Sequence, residues 1–341
     1  MTSSWTGLLN TLAEGSDLSR AETSAAMAEV LNGEADPAAL GALLMGLRVK
    51  GESDDEILGF ADAMLAAAEP LTIPEGSVDI VGTGGSKHRK SHALNVSSMA
   101  SFVAAAAGAT VCKHGNVAAS SSSGSFDFLD AVGVDINPTP TEVEQLIERY
   151  GLAFAWAKTF HPAMRHAGPV RAAVGIPTVF NILGPLVHPG HTKRIVLGVA
   201  SDERAEQMAR ILSGRGMARA WVVAGHDGLD ELSTVGPTRV WDVTGSGIKE
   251  LTVHPEAVGI PLVEHSDLAG GDGGRNAEIF RRMITDPDSE PAASGIVRLN
   301  AGAALLVAGV EPDLVSAVAA ATDSLTSGKV AELFETFTTG T

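Results

Sequence analysis

The hydrophobic pattern of this chain changes period once, near Pro74, and that change limits the fold more than any other feature. Before it, apolar residues recur at helical spacing. Ala21, Met27 and Leu31 follow Asp17 and Ser19, either of which can cap a helix ending near Gly33. Asp36-Pro37 opens a second helix carrying Leu40, Leu43, Leu44 and Leu47, with proline at a tolerated first-turn position. Ser53-Asp54-Asp55-Glu56 has the spacing of a capping box and opens a third helix through Ile57, Phe60, Ala61 and Leu65. Beyond Pro74, short apolar runs at 78–81, 109–113, 195–198 and 220–224 read as buried strands. Helix-like segments at 97–107, 141–150 and 203–215 fall between them, with further helices at 276–284 and 301–308. Such alternation predicts an α/β fold: a mostly parallel central sheet flanked by helices, with a smaller N-terminal all-helical domain. The expected boundaries are 1–72 for the helical domain, joined by a helical segment near 165–178, and 73–341 for the α/β domain.

Charge narrows the partners. With 41 acidic and 24 basic side chains the chain carries a formal net charge of −17. Nucleic acid and anionic membrane surfaces both demand concentrated positive charge and are disfavoured. A polyanionic small substrate stays open, provided the few basic residues gather at one site. Aromatic residues make up only 4%, so the core must rest on closely packed aliphatic side chains. Residues 1–7 hold no basic residue followed by a long apolar run, and the apolar stretch 99–111 is too short to span a bilayer. The single cysteine, Cys112, cannot form an intrachain disulfide, which fits a reducing cytoplasm. A soluble cytoplasmic protein is expected.

Three runs follow or flank the predicted strands. Asp79-Ile80-Val81-Gly82-Thr83-Gly84-Gly85 places glycines directly after a strand. There the backbone can approach an oxyanion and point N–H groups at it, although turn geometry alone also calls for glycine. Asn95-Val96-Ser97-Ser98 precedes a helix and suits a phosphate or its metal; an ordinary N-cap reads the same way. Lys113-His114-Gly115-Asn116 is followed by Ser120, Ser121, Ser123 and Ser125. A lysine point charge with many hydroxyl donors describes a diphosphate cradle, while 120–123 alone also reads as a surface loop.

Taken in order, these runs resemble the anthranilate phosphoribosyltransferases. So do His161-Pro162-Ala163-Met164-Arg165-His166 leading to Val170-Arg171, and Thr178-Val179-Phe180-Asn181-Ile182-Leu183-Gly184-Pro185-Leu186. Asp227-Gly228-Leu229-Asp230-Glu231-Leu232, Gly270-Gly271 with Asn276-Ala277, and Asn300-Ala301-Gly302 extend the resemblance over nearly the whole chain. It implies a homodimer formed through the helical part. It also implies transfer of the phosphoribosyl group of 5-phosphoribosyl 1-diphosphate to the amine of anthranilate, in tryptophan biosynthesis, with Mg2+ as cofactor. By position, Gly82, Gly85, Ser86, Asn95, Val96, Ser97, Ser98, Lys113, His114, Gly115, Asn116, Ser120, Ser121 and Ser125 would hold phosphoribosyl diphosphate. Gly82, Asn116 and Arg171 would meet anthranilate; Ser97, Asp230 and Glu231 would serve magnesium.

Those assignments make chemical sense. Magnesium prefers oxygen ligands and bridges carboxylates to phosphates. Arg171 can grip a carboxylate as a two-point fork, where otherwise it would form a surface salt bridge. An aryl amine is largely unprotonated at neutral pH, so no general base, covalent intermediate or catalytic cysteine is expected. Preorganised donors, metal on the leaving group and in-line positioning carry the catalysis.

The chain departs from the family's pattern at three places. Ser86 stands where an aspartate is usual, and Val117 where an arginine is common. The stretch between Gly85 and Asn95 is about three residues longer than usual and carries Lys87, Arg89 and Lys90, either as a phosphate-closing loop or as a solvated one. Three other readings remain open: a paralogue using another aromatic amine, a nucleoside phosphorylase, and a non-catalytic binding protein of the same fold.

Overall fold

The computed structural model describes residues 4–84, 86, 94–117 and 123–340. The chain divides into two compact units: Met1–Pro70 with Ala157–His191, and Leu71–Trp156 with Thr192–Thr341.

The first unit begins with four helices, α1 (Trp5–Ala13), α2 (Arg20–Asn32), α3 (Pro37–Lys50) and α4 (Asp54–Ala66). Each starts where a side chain accepts from a first-turn N–H: Ser4, Ser19, Asp36 and Ser53. Of the two candidate caps before α2, Ser19 takes the role in a full capping box with Glu22, while Asp17 binds Lys50 Nζ at 2.5 Å. The leucines of α3 at 40, 43, 44 and 47 are buried, as their spacing predicts. Helices α2 and α4 approach closely at Gly59, where a Cβ would lie 2.0 Å from Thr23 Oγ1. The returning segment adds short helices Gly168–Val174 and Phe180–Leu183, and Phe180 meets Phe60 of α4 edge to face at 6.0 Å.

The second unit holds a seven-stranded sheet: β1 (Val78–Gly82), β2 (Val111–Gly115), β3 (Leu152–Trp156), β4 (Arg194–Gly198), β5 (Arg219–Gly225), β6 (Thr238–Thr244) and β7 (Gly247–Val253). Their order is β3-β2-β1-β4-β5-β6-β7. The first five strands pair in parallel and the last two join antiparallel, so the expected mostly parallel sheet is found. Strand β3 and the β6–β7 hairpin were not foreseen. Helix α5 (Val96–Ala106) carries Phe102 into a cluster with Phe154, Phe280, Phe334 and Phe337, ring centroids 5.3 to 5.7 Å apart. A chain poor in aromatics thus spends half of its 10 phenylalanines in one place, where large rings contribute most per residue.

From β1 the chain runs outward through β2 to β3, then returns to the other side of β1 as β4. The strand order therefore reverses between β1 and β4, whose carboxyl ends pair at Gly82 and Gly198. In open α/β sheets this is where ligands bind.

Candidate functional site

The switch point is built by glycines that admit a carboxylate-bearing loop. After β1, Thr83 donates its N–H to Gly198 O at 2.9 Å, and the Gly84 N–H donates to Asp230 Oδ2 at 2.8 Å. A Cβ on Gly198 would sit 1.7 Å from Asp230 O, and one on Gly82 would sit 2.3 Å from Asp230 Oδ2. Any side chain at either strand end would push Asp230 away. The glycine run thus has a use that neither turn geometry nor phosphate approach had supplied: it seats Asp230 on the ends of β1 and β4. Asp230 and the adjacent Glu231 are both buried.

On the next strand, Lys113 is turned into the sheet, with Nζ 2.5 Å from Ile80 O and the side chain buried. The following residue, His114, is also buried and donates its backbone N–H to Asp79 Oδ1 at 3.1 Å. At Gly115 a Cβ would lie 2.3 Å from Ser125 Oγ, so this glycine lets helix α6 (Ser125–Val132) start against β2. Ser125 Oγ donates to Asn116 O at 3.1 Å. The side chain of Asn116 is exposed, yet its Oδ1 is engaged by Trp156 Nε1 at 3.1 Å and by Val117 N at 2.8 Å.

The start of α5 differs from an ordinary cap. Asn95 occupies the N-cap position without making a side-chain cap bond. Its amide is drawn elsewhere: Oδ1 accepts from Asn276 Nδ2 at 2.6 Å and from Ser123 Oγ at 2.9 Å, and Nδ2 donates to Gly124 O at 3.1 Å. Asn95 thereby ties the start of α5 to the approach to α6. Among the described residues no side chain accepts from the first N–H groups of α5, a helix end suited to an anion. Val96 is buried and Ser97 half-buried in the first turn. Two buried hydroxyls, Ser86 Oγ and Ser98 Oγ, have no hydrogen-bond partner among the described residues.

In the helical unit, Arg171 lies on helix Gly168–Val174 with its guanidinium 5.0 Å above the Phe180 ring. Burial pushes its pKa down. Among the described residues no carboxylate forms an ion pair with it, so the surface salt bridge weighed above is not found. Gly85, Ser120, Ser121 and the basic side chains Lys87, Arg89 and Lys90 lie outside the described residues. Sequence reasoning assigned no role to Asp79, Trp156, Asn276 or Gly198. The one local signal was Asp79, a carboxylate inside the apolar run 78–81, where burial is costly unless the charge has partners.

The α/β part, over residues 75–331, matches the model of the glycosyl transferase family, a/b domain, and residues 6–68 match that of the glycosyl transferase family, helical bundle domain. Fold and site together define a glycosyltransferase of this two-part class. An anthranilate phosphoribosyltransferase from Rubrobacter xylanophilus is 44% identical over 329 residues, 96% of this chain and 95% of that protein. The crystal structure of the anthranilate phosphoribosyltransferase from Thermus thermophilus, 40% identical, superposes with a TM-score of 0.89 over 97% of this chain and 98% of that one. The Saccharomyces cerevisiae enzyme in complex with PRPP and Mg is 28% identical, with a TM-score of 0.88 over 98% of this chain and 96% of its own. The chain belongs to the anthranilate phosphoribosyltransferase family.

Proposed function

We propose that this chain transfers the phosphoribosyl group of 5-phosphoribosyl 1-diphosphate to the amine of anthranilate and releases diphosphate. The observation that carries the reading is the seating of Asp230, with Glu231 beside it, on the glycine loop at the switch point. Two adjacent buried carboxylates are of use beside a polyanion only if a cation lies between.

Asp230 and Glu231 fit Mg2+, since both offer hard oxygen donors. Among the described residues no group of three or more His, Cys, Asp or Glu side chains could hold a metal. Two carboxylates completed by substrate phosphate oxygens are a usual arrangement for this ion, and Ser97 would add a hydroxyl donor. Bound there, Mg2+ would neutralise charge on the departing diphosphate. The protein's own donors do the rest. The start of α5, the Ser98 hydroxyl and Ser86 suit phosphate oxygens, and Arg171, with no carboxylate partner among the described residues, suits the carboxylate of anthranilate. Gly82 and Asn116 are assigned to the same acid. The amine attacks with its free lone pair, so no side chain need accept a proton before bond formation.

A homodimer through the helical part belongs to this reading. Met45 and Val49, one turn apart on α3, expose apolar side chains there. So does a cytoplasmic setting: Cys112 is buried, and the described helix long and apolar enough to cross a membrane, Pro291–Ala308, is 78% buried in the fold. The test is consumption of anthranilate fluorescence with phosphoribosyl diphosphate and Mg2+. Turnover that needs the metal and is lost in Arg171→Ala is expected; well-folded protein that turns nothing over would overturn the reading.

A further inference from the structure

We infer that Trp156 is a positioning residue for this reaction, fixing which end of the Asn116 amide faces outward. An asparagine side chain has an accepting end and a donating end of nearly equal size, and in an exposed loop both orientations are open to it. Here the choice is forced by chemistry. Trp156 Nε1–H and the Val117 backbone N–H can only donate, and both are within hydrogen-bond distance of one atom of Asn116, at 3.1 and 2.8 Å. That atom must be the oxygen. Among the described residues nothing accepts from the two N–H bonds of the amide, which are left for a ligand, so the side chain presents donors.

The indole is itself held. Trp156 closes β3, is 8% exposed and stacks on Phe126 with centroids 5.6 Å apart and planes 20° from parallel. Phe126 in turn donates its N–H to Asn116 O at 3.3 Å, and Ser125 Oγ donates to the same oxygen at 3.1 Å. The backbone of Asn116 is therefore pinned from α6 and its side chain from β3. The ligand class that such a group selects is one rich in oxygen acceptors, a carboxylate or a phosphoryl group. This inference rests on the proposed reaction and names the residue that prepares Asn116 for it.

The test uses Trp156→Phe, which keeps the ring stack and most of the volume but removes the only N–H. Losing one neutral hydrogen bond to a pre-set donor is expected to lower kcat/KM for anthranilate about three- to tenfold. The loss should appear mainly in KM, with the melting temperature within a few degrees of the wild type. In the double variant with Asn116→Ala the two effects should not add, because the indole acts through the amide. Asn116→Asp should lose more than Asn116→Ala, since the second carboxylate oxygen would face the anion. An unchanged KM in Trp156→Phe, or effects that add fully in the double variant, would overturn the inference. Failure of the reaction itself is separable: if the wild type turns nothing over, the side-chain amide resonances of Asn116 still report the bond. They should shift and broaden in Trp156→Phe, and unmoved resonances would sink the idea.

Discussion

The four N-terminal helices and the carboxyl ends of the sheet treat polar groups in opposite ways. Among the helices, every start is capped by a side chain, and even the buried Glu56 carboxylate is filled. It accepts from Leu18 N at 2.9 Å, Ser53 N at 2.7 Å and Lys50 Nζ at 2.9 Å. At the sheet, α5 starts uncapped because Asn95 is drawn sideways, and the buried hydroxyls of Ser86 and Ser98 have no partner among the described residues. Burying a hydroxyl without a partner costs about 1–3 kcal/mol. The first region is therefore finished when it folds, whereas the second carries donors that no described residue satisfies and that a ligand would. Mutations should divide accordingly, into those that move stability and those that move substrate.

The largest effect is expected on the finished side. Glu56→Ala leaves Leu18 N and Ser53 N without their acceptor and Lys50 Nζ with Asp17 and Gly51 O alone, and orphaning each donor costs about 1–3 kcal/mol. Chemical denaturation should show that loss. At temperatures where the variant stays folded, its KM for phosphoribosyl diphosphate should equal the wild type's. A changed KM would blur the division between the two regions.

Next comes Gly198→Ala. The added methyl would sit 1.7 Å from Asp230 O, which is backbone and cannot swing aside, so the Asp230 segment must shift. Displacing a catalytic group by about 1 Å can cost on the order of 100-fold in rate. Kinetics titrated with Mg2+ should show kcat/KM falling by about that factor, with a weaker apparent affinity for the metal. Full activity in this variant would detach Asp230 from the reaction.

The same division explains what could be read without coordinates. Capping boxes are signals over four residues: the one at Ser53 was legible from its spacing, whereas before α2 the sequence left Asp17 and Ser19 as alternatives and the structure gives the box to Ser19 with Glu22. The fold class was legible from the change of period near Pro74. Strand β3 was missed since 152–156 is a short apolar run with no alternation, and the β6–β7 hairpin since β7 is largely exposed and weakly patterned. At the site, residue types were visible but their uses were not. Gly82 and Gly198 were each plain as glycine, yet the reason, Asp230, lies far along the chain. Asn95 finds Asn276 across 181 positions, and Trp156 finds Asn116 across 40. Such pairings are set by how the sheet is ordered, which no local window contains.

A smaller effect should follow from Ser98→Ala. Removing a buried hydroxyl that has no described partner spares its desolvation cost, so the free protein should be no less stable and gain up to about 1 kcal/mol. If the hydroxyl waits for a phosphate oxygen, the KM for phosphoribosyl diphosphate should rise about tenfold at the same time. Stability and affinity moving in opposite directions is the signature of a group kept for a ligand. A drop in both would mean that Ser98 is structural, and the contrast with Glu56 would weaken.

The smallest effect concerns pH and the helical unit. Burial is the main cause that holds the His161 imidazole below its ordinary 6.5, and the neighbouring His188 pushes it the same way. Hydrogen bonds to the Val187 and Met64 backbone work against this without reversing it. The folded chain therefore binds fewer protons at His161 than the unfolded chain does, and stability rises with pH. The contribution is fully present above 6.5, begins to fall as the pH drops below that value, and is exhausted once the lowered folded value is passed. Melting temperatures of the wild type should thus decline between pH 7.5 and pH 5, and His161→Gln, which keeps a donor toward Val187 O but cannot take up a proton, should decline less. Equal slopes would place the acid sensitivity elsewhere in the molecule. A steeper slope for the variant would mean that the buried ring is charged in the folded state, and that the finished region is not finished at this position.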